Sequence, residues 1–226
     1  MTWFLSFYRS AINKKAVMAV TGIALFGFVF GHMLGNLKFF LGREEFQAYA
    51  DELRALGYPL FPHGSLLWIV RGGLLAAVAL HVHAATTLWL QARQARPQNY
   101  SRRELVQLDY AARTMRWGGA LILLYVVYHL LHLTWGNAHP DFRADDVYHN
   151  VLAGFSVPWV AAVYIVANAI LGFHLYHGLW SLFQSLGWNH PRYNPWRRAF
   201  AVVFSLVVAA GFISVPVAVL AGLVRG

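Results

Sequence analysis

Charged residues are absent from five long stretches of the chain, and this distribution constrains the fold more than any other feature of the sequence. The uncharged stretches are residues 16–37, 72–92, 117–140, 147–191 and 199–224. A helix needs about 20 apolar residues to cross the hydrocarbon core of a bilayer. Four of the stretches contain 21 to 26 residues. The longest fits one span with flanking interfacial sequence, because Pro158 suits the first turn of a helix.

We therefore predict an all-α integral membrane protein that forms one domain over residues 1–226. Charged residues make up 12% of the chain, about half the fraction of roughly 25% found in soluble domains. A further short amphipathic helix is expected over residues 43–57, in the loop that follows the first span. The five predicted transmembrane helices cover approximately residues 16–40, 66–92, 117–136, 157–186 and 199–222.

Lysine and arginine residues are distributed unequally between the two sets of loops that these spans define. Twelve lie on the side of the N-terminus and six lie on the other side. Because cytoplasmic loops carry the excess of basic residues, the N-terminus is predicted to be cytoplasmic. We refer to the two sides as the predicted inner and outer sides. This positive-inside pattern accounts for the net charge of +9 without a nucleic-acid ligand.

The sequence excludes several kinds of redox site within this chain. It contains no cysteine, so it can hold neither a cysteine-ligated iron–sulfur cluster nor a disulfide. It also lacks a Gly-rich phosphate-binding loop of the GxGxxG or Walker type. A flavin, nicotinamide or iron–sulfur function would therefore require partner subunits.

Histidines are concentrated in the predicted membrane spans. An ionisable side chain at membrane depth is costly and indicates a functional site by default. A single histidine could merely bond to a neighbouring helix, but four of the five predicted spans carry at least one, which suggests pairs of histidines across helices. Seven of the eleven histidines lie in the uncharged stretches: His32, His81, His83, His129, His132, His174 and His177.

Depth along the helices groups four of these histidines into two pairs. His32 and His129 lie 8 and 7 residues from the predicted outer ends of the first and third spans, which places both about 10–12 Å deep. His81 and His174 lie 15 and 17 residues from the outer ends of the second and fourth spans, at about 22–26 Å. The sequence thus predicts an outer pair, His32/His129, and an inner pair, His81/His174.

The remaining intramembrane histidines are alternatives to their neighbours. His81 and His83 point about 200° apart around a helix, so only one of them can face a given partner. His132 and His177 share a helical face with His129 and His174, and spacing alone does not exclude them. We prefer the first histidine of each doublet as the pairing residue.

Two stacked histidine pairs are compatible with more than one chemistry. Bis-imidazole ligation without an open position is an electron-transfer arrangement for haem iron. A structural zinc site would need four converging ligands, whereas stacked histidines could also relay protons. Gly27, Gly31 and Gly35 form a small-residue stripe beside His32, which could serve helix packing or make room for a flat macrocycle.

Three segments of the sequence resemble a known family of membrane cytochromes. They are TGIALFGFVFGHMLGNLKFFLG (21–42), YVVYHLLHLTWG (125–136) and GFHLYHGLWSLFQSLGWNHPRYNPWRR (172–198). Together they resemble the single-polypeptide cytochrome b membrane anchor of succinate dehydrogenase and fumarate reductase, the class with five helices and two haems. The resemblance covers nearly the whole chain, and FHxxxGLW near the end of the fourth span is its most specific part.

The resemblance implies a bundle around two stacked b-type haems and assigns roles to the four paired histidines. His32 and His129 would be the axial ligands of the outer haem iron, and His81 and His174 those of the inner haem iron. A partner flavoprotein would oxidise succinate, and an iron–sulfur subunit on the cytoplasmic rim would pass electrons through both haems to a membrane quinone. The expected location is a prokaryotic cytoplasmic membrane.

Two cations near the outer haem level are candidate contacts for haem propionates or a quinone. Arg71 lies about five residues inside the second span, and Lys38 lies at the end of the first. The alternative interpretation of Arg71 is that its side chain extends to the outer interface. Two other functions remain open at this point: a two-haem cytochrome b of a formate dehydrogenase or hydrogenase, and a haem-free transporter with functional histidines.

Overall fold

The computed structural model of the chain describes residues 10–95 and 110–224, with only the backbone described for residues 110–114. Every regular element in that part of the chain is helical, which confirms the predicted fold class at this level. Seven α-helices are formed: α1 (Ala11–Leu37), α2 (Arg43–Ala55), α3 (Ser65–Gln94), α4 (Tyr110–His129), α5 (Val147–Phe155), α6 (Pro158–Ser185) and α7 (Asn194–Leu220).

Five helices are long and apolar enough to cross a membrane, as predicted. They are α1 with the 3₁₀ turn that follows it (Ala11–Leu41), α3, α4 from Met115 with its continuation to Thr134, α6 and α7. The helices extend beyond several predicted boundaries, because a charged residue ends an uncharged stretch without ending a helix. Thus α4 already includes Tyr110, ahead of the predicted start at residue 117, and α7 begins at Asn194 rather than at residue 199.

Within the described residues, two shorter α-helices lie outside the five spans. The short amphipathic helix predicted at 43–57 is confirmed as α2. A second short helix, α5, was not predicted. It lies just before the fourth span, where only flanking interfacial sequence was expected. Residues 1–9 and most of the loop between the second and third predicted spans lie outside the described residues.

The membrane helices pack unevenly, and two pairs of them are not packed along each other; we call the gap within each such pair an opening. Helices α6 and α7 have the most extensive contact, α1 lies against both of them, and α4 packs along α6. Helix α3 packs along α1. By contrast, α1 is not packed along α4, and α3 is not packed along α6. Side chains at matching heights can therefore face each other across these two openings.

The predicted outer end of the bundle is closed by α2, α5 and the 3₁₀ turn at Lys38–Leu41. Their aromatic residues form a buried cluster in which Phe39 stacks on Tyr148, with ring centroids 4.7 Å apart, and contacts Phe46. Gly35 belongs to this packing, because a Cβ at that position would lie 2.5 Å from the Tyr49 hydroxyl. A Cβ at Gly27 or Gly31 would meet no atom within 4 Å, so only the last glycine of the stripe serves close packing.

Exposed tryptophans mark both ends of the bundle. Trp117 and Trp135 are 18 residues apart at opposite ends of the α4 span, or about 27 Å along a helix. This separation matches the roughly 30 Å thickness of a hydrocarbon core, and tryptophan is enriched at membrane interfaces. One group consists of Trp68, Trp135 and Trp159, and the other consists of Trp117, Trp188 and Trp196.

Asp146 holds the outer cap together by two kinds of contact. Its carboxylate accepts a hydrogen bond from the backbone N–H of His149 at 2.9 Å, which caps α5. It also pairs with Arg43 of α2. Partial burial alone would raise the pKa of Asp146, but the N–H of His149 and the Arg43 guanidinium outweigh it and hold that pKa below its usual value.

Removing these contacts should destabilise the cap in two separable steps. Asp146→Asn keeps a capping oxygen but loses the charge, and with it an ion pair worth roughly 0–1 kcal/mol. Asp146→Ala also loses the helix cap, which is worth about 1 kcal/mol. We expect thermal unfolding in detergent to rank wild type above Asn and Asn above Ala. The advantage of wild type over Asn should begin to decline below about pH 4 and be lost as the pH falls through the lowered pKa of folded Asp146.

A matched control is available at the adjacent position. Asp145 is exposed, so Asp145→Asn removes the same charge beside the cap without removing its contacts. Equal destabilisation by the Asp145 and Asp146 substitutions would contradict this role of Asp146.

Candidate functional site

The predicted outer pair of histidines comes together across the opening between α1 and α4. The ring centroids of His32 and His129 are 5.9 Å apart, and the ring planes cross at 78°. His32 lies near the end of α1, and His129 is the last residue of α4 before the helix widens into a π-helical segment, Leu130–Thr134. Such π segments frequently occur at functional sites.

The predicted inner pair comes together across the opening between α3 and α6. The ring centroids of His81 and His174 are 6.5 Å apart, and the ring planes cross at 65°. Both pairs thus join helices that do not pack along each other. The facing histidines, rather than direct packing of helix on helix, bridge the two openings.

Two neighbouring contacts give the separation of the pairs along the membrane normal. Thr21 of α1 contacts His81 and lies eleven residues before His32, or about 16 Å along the helix. Tyr164 of α6 contacts His129 and lies ten residues before His174, or about 15 Å. Two different helices therefore give the same spacing between the levels.

The spacing within each pair fits one metal ion between two imidazoles. Imidazole nitrogens bind metal ions at about 2.0–2.1 Å; with roughly 1.1–1.2 Å from each nitrogen to its ring centre, opposed ligands have centroids about 6.2–6.6 Å apart. The observed values of 5.9 and 6.5 Å lie within a few tenths of an ångström of this range. Among the described residues, no group of three or more His, Asp and Glu side chains is arranged to hold a metal ion.

This donor set suits haem iron better than a bare ion. A haem iron needs only two axial ligands from the protein, because the macrocycle supplies the equatorial ones. A zinc site would need four protein or water ligands. Each pair offers two imidazoles whose rings face each other from helices that do not pack along each other, and two imidazoles are the protein donor set that a bis-histidine haem requires.

Thr21 fixes the orientation of His81. Its hydroxyl lies 2.8 Å from the carbonyl oxygen of Val17 and 3.1 Å from Nδ1 of His81. When the hydroxyl donates to Val17, its oxygen accepts from Nδ1 of His81. In a neutral imidazole, a proton on Nδ1 leaves Nε2 as the free acceptor. A polar partner on the second ring nitrogen is the usual support of a metal-binding histidine, so His81 is oriented to present Nε2.

Two glycines make room for the inner pair. A Cβ at Gly22 of α1 would lie 3.6 Å from Cε1 of His81, and a Cβ at Gly119 of α4 would lie 3.6 Å from Cε1 of His174. Each imidazole thus lies against a glycine on the helix next to its own. Any side chain larger than a methyl group at these two positions would compete with the histidine ring for space.

The outer pair has a more extensive polar environment. Nδ1 of His129 lies 3.3 Å from the hydroxyl of Tyr164, and Nδ1 of His132 lies 3.0 Å from the same hydroxyl. Tyr164 and His132 are both buried. His132 therefore points toward Tyr164, whereas the ring that faces His32 is that of His129.

The geometry favours the first histidine of the other two doublets as well. His83 is exposed on α3, on a different face from His81. His177 is buried, and its ring contacts Tyr176 at a centroid distance of 4.8 Å. The ring contacts across the inner opening are made by His81 and His174.

The two candidate cations engage aromatic rings at the predicted outer end. The Arg71 guanidinium lies 4.9 Å from the centre of the exposed Trp68 ring, and the Lys38 ammonium lies 5.0 Å from that of Tyr49. The contact of Arg71 is typical of a side chain that extends to the interface. Their proposed contacts with propionates or a quinone stay predictions.

Sequence reasoning did not identify Thr21, Gly22 or Tyr164 as parts of the site. Thr21 and Gly22 open the first segment that carried the family resemblance. Tyr164 is the first polar side chain after the start of α6 on the tryptophan side, ten residues before His174. These were the available signals, but the partner of each residue lies on another helix. No family model, curated protein or solved structure matches the chain.

Proposed function

We propose that the chain is the membrane anchor and two-haem electron-transfer subunit of a succinate:quinone oxidoreductase. The proposal rests on the outer and inner histidine pairs. Each pair has a ring spacing close to that of bis-imidazole ligation, and the two pairs lie at levels about 15–16 Å apart. The choice of succinate as the partner substrate rests on the resemblance of residues 21–42, 125–136 and 172–198. The N-terminus is proposed to be cytoplasmic.

When bound, two b-type haems would carry single electrons between an iron–sulfur subunit at the inner side and a quinone in the membrane. The chain itself contributes ligands, spacing and insulation from water. His81 and His174 hold the inner position, His32 and His129 hold the outer one, and the surrounding apolar helices keep both in a low-dielectric setting. The dicarboxylate chemistry belongs to a flavoprotein partner.

The predicted inner end provides a basic surface for an iron–sulfur subunit. The guanidinium of Arg93 lies 5.2 Å from the Trp89 ring centre, and that of Arg116 lies 5.7 Å from the same ring. Arg197 is buried against Trp180 and Phe183. Arg93 and Arg116 are exposed at the ends of their helices, where they can attract an acidic partner surface while the Trp89 ring anchors them in the interface.

A reduced-minus-oxidised absorption spectrum, with haem quantified per polypeptide, tests this proposal. The complex should be purified with its co-purifying subunits, and succinate, formate and hydrogen should be compared as reductants. We expect two b-type haems per chain, reduced by succinate. Reduction only by formate or hydrogen would identify a different two-haem cytochrome b. A chain without a haem band would favour a histidine-containing transporter instead.

A further inference from the structure

A chain of polar contacts links the outer histidine pair to a residue that does not belong to it. The Tyr164 hydroxyl lies between Nδ1 of His129, at 3.3 Å, and Nδ1 of His132, at 3.0 Å. The three groups come from two elements, since Tyr164 belongs to α6 and both histidines belong to the α4 span. One hydroxyl therefore serves two imidazoles.

The hydroxyl has one hydrogen, and this sets a direction in the chain of contacts. Tyr164 can donate to only one of the two Nδ1 atoms, and it accepts from the other. A neutral imidazole likewise has one donor and one acceptor nitrogen. The chain can thus run from His129 through Tyr164 to His132, or in the opposite direction.

Only the first direction leaves His129 able to bind a metal through Nε2. If His129 donates from Nδ1 to Tyr164, its Nε2 carries no proton and is free as a ligand. If Tyr164 donates to Nδ1 of His129, then Nε2 carries the proton and cannot bind. In that direction Tyr164 donates its hydrogen to Nδ1 of His132 and its oxygen accepts from His129, so His132 carries its own proton on the buried Nε2, which has no hydrogen-bond partner among the described residues.

We propose that Tyr164 and His132 are positioning residues for the outer haem, because their hydrogen-bond relay selects the tautomer and fixes the ring of His129. This inference rests on the proposed haem function and adds to it two residues that touch neither iron. The relay also raises the basicity of His129, because a ligand histidine that donates its second N–H is a stronger ligand.

The surroundings of His132 hold the relay in place. His132 is fully buried, and its ring lies 4.7 Å from that of His139. His139 is itself fixed, because Nδ1 accepts from the backbone of Asp141 and Nε2 donates to the carbonyl of Asn150. A Cβ at Gly154 would lie 2.7 Å from Cε1 of His132, so a glycine is needed for His132 to occupy this position.

The midpoint potentials of the two haems test the relay in the purified complex. Tyr164→Phe removes the acceptor for His129, so the ferric form of the outer haem should lose stability relative to the ferrous form. We expect the midpoint potential of one haem to rise by ~59 mV, which corresponds to about a tenfold change in the equilibrium between its ferric and ferrous forms for one electron. The outer potential is identified as the one that is missing in His129→Ala.

Variants of His132 separate positioning from packing. His132→Leu removes the acceptor and frees the Tyr164 hydrogen to turn toward His129, so outer-haem occupancy should fall about tenfold or more at limiting haem. His132→Asn offers an oxygen near the position of Nδ1 and should retain wild-type occupancy and potential. In the double variant His132→Leu/Tyr164→Phe no hydroxyl hydrogen competes, so occupancy should recover to the level of Tyr164→Phe.

Two controls define the specificity of the effect. The Tyr128 hydroxyl is buried and makes no hydrogen bond within the described residues, although its ring stacks on His132. Tyr128→Phe should therefore leave both potentials unchanged. Thr21→Val removes the corresponding partner of His81 and should raise the other potential, that of the inner haem.

Several results would overturn the inference. These are unchanged potentials in Tyr164→Phe, equal losses in the Leu and Asn variants of His132, or a double variant that is worse than His132→Leu alone. If wild type carries two haems, such results refute the relay and leave the proposed function intact. If wild type carries no haem, both fail together.

Discussion

If the chain binds two haems as proposed, His81→Ala is expected to lower the haem content of the complex from two haems to one per chain, whereas His83→Ala should leave it at two. The two residues lie on the same helix, two positions apart. The His81 ring faces His174 at a centroid distance of 6.5 Å and is oriented by Thr21, but His83 is exposed on another face. Loss of one axial ligand from a bis-histidine site leaves a single bond to the iron.

The haem content should be measured per polypeptide, together with the number of one-electron steps in a redox titration. His83→Ala is the matched control, because it removes the same imidazole from the same stretch of α3. The outer haem that remains in His81→Ala reports that the bundle still folds. Retention of two haems in His81→Ala, or loss of one in His83→Ala, would show that the assignment of the inner pair is wrong.

Gly119→Leu is expected to cause a loss of similar size without altering any ligand. A Cβ at Gly119 would lie 3.6 Å from Cε1 of His174, which is an ordinary van der Waals contact. Gly119→Ala should therefore retain both haems. The three further carbons of leucine would overlap the imidazole and turn it away from His81, so Gly119→Leu should retain only the outer haem.

The control for helix propensity and bulk is Gly72→Leu on α3. A Cβ at Gly72 would meet no atom within 4 Å, so the same substitution adds the same volume where nothing opposes it. Haem content and the elution volume of the complex should both match wild type. Two haems in Gly119→Leu would mean that His174 does not bind through the ring orientation described above.

The sequence was sufficient to predict the spans and the facing histidines. Uncharged stretches are a one-dimensional signal, because membrane thickness sets the length of a helix directly. Depth is also one-dimensional, since each residue adds about 1.5 Å along a helix. Counting from the helix ends therefore matched His32 with His129 and His81 with His174, and the structure brings the same residues together.

The supporting residues could not be predicted in this way, because they depend on rotation and on neighbours. Spacing left His132 beside His129 on one helical face, but the π-helical segment after His129 changes the rotation, and His132 contacts Tyr164. The order of helices around the bundle decides which residue of α1 meets His81, and periodicity does not contain that order. Helix α5 was missed because the long uncharged stretch hides a boundary between two helices.

The attachment of α3 has a consequence for assembly of the protein. This helix packs along α1, is not packed along α6, and faces α6 with the ring of His81. If an iron is bound by His81 and His174, then the cofactor ties two otherwise separate helices together and acts as an internal crosslink. Cofactor insertion would then be the step that completes the tertiary structure, and chains made under haem starvation should expose α3 to membrane proteases. Quality control of the subunit would follow directly from its redox site.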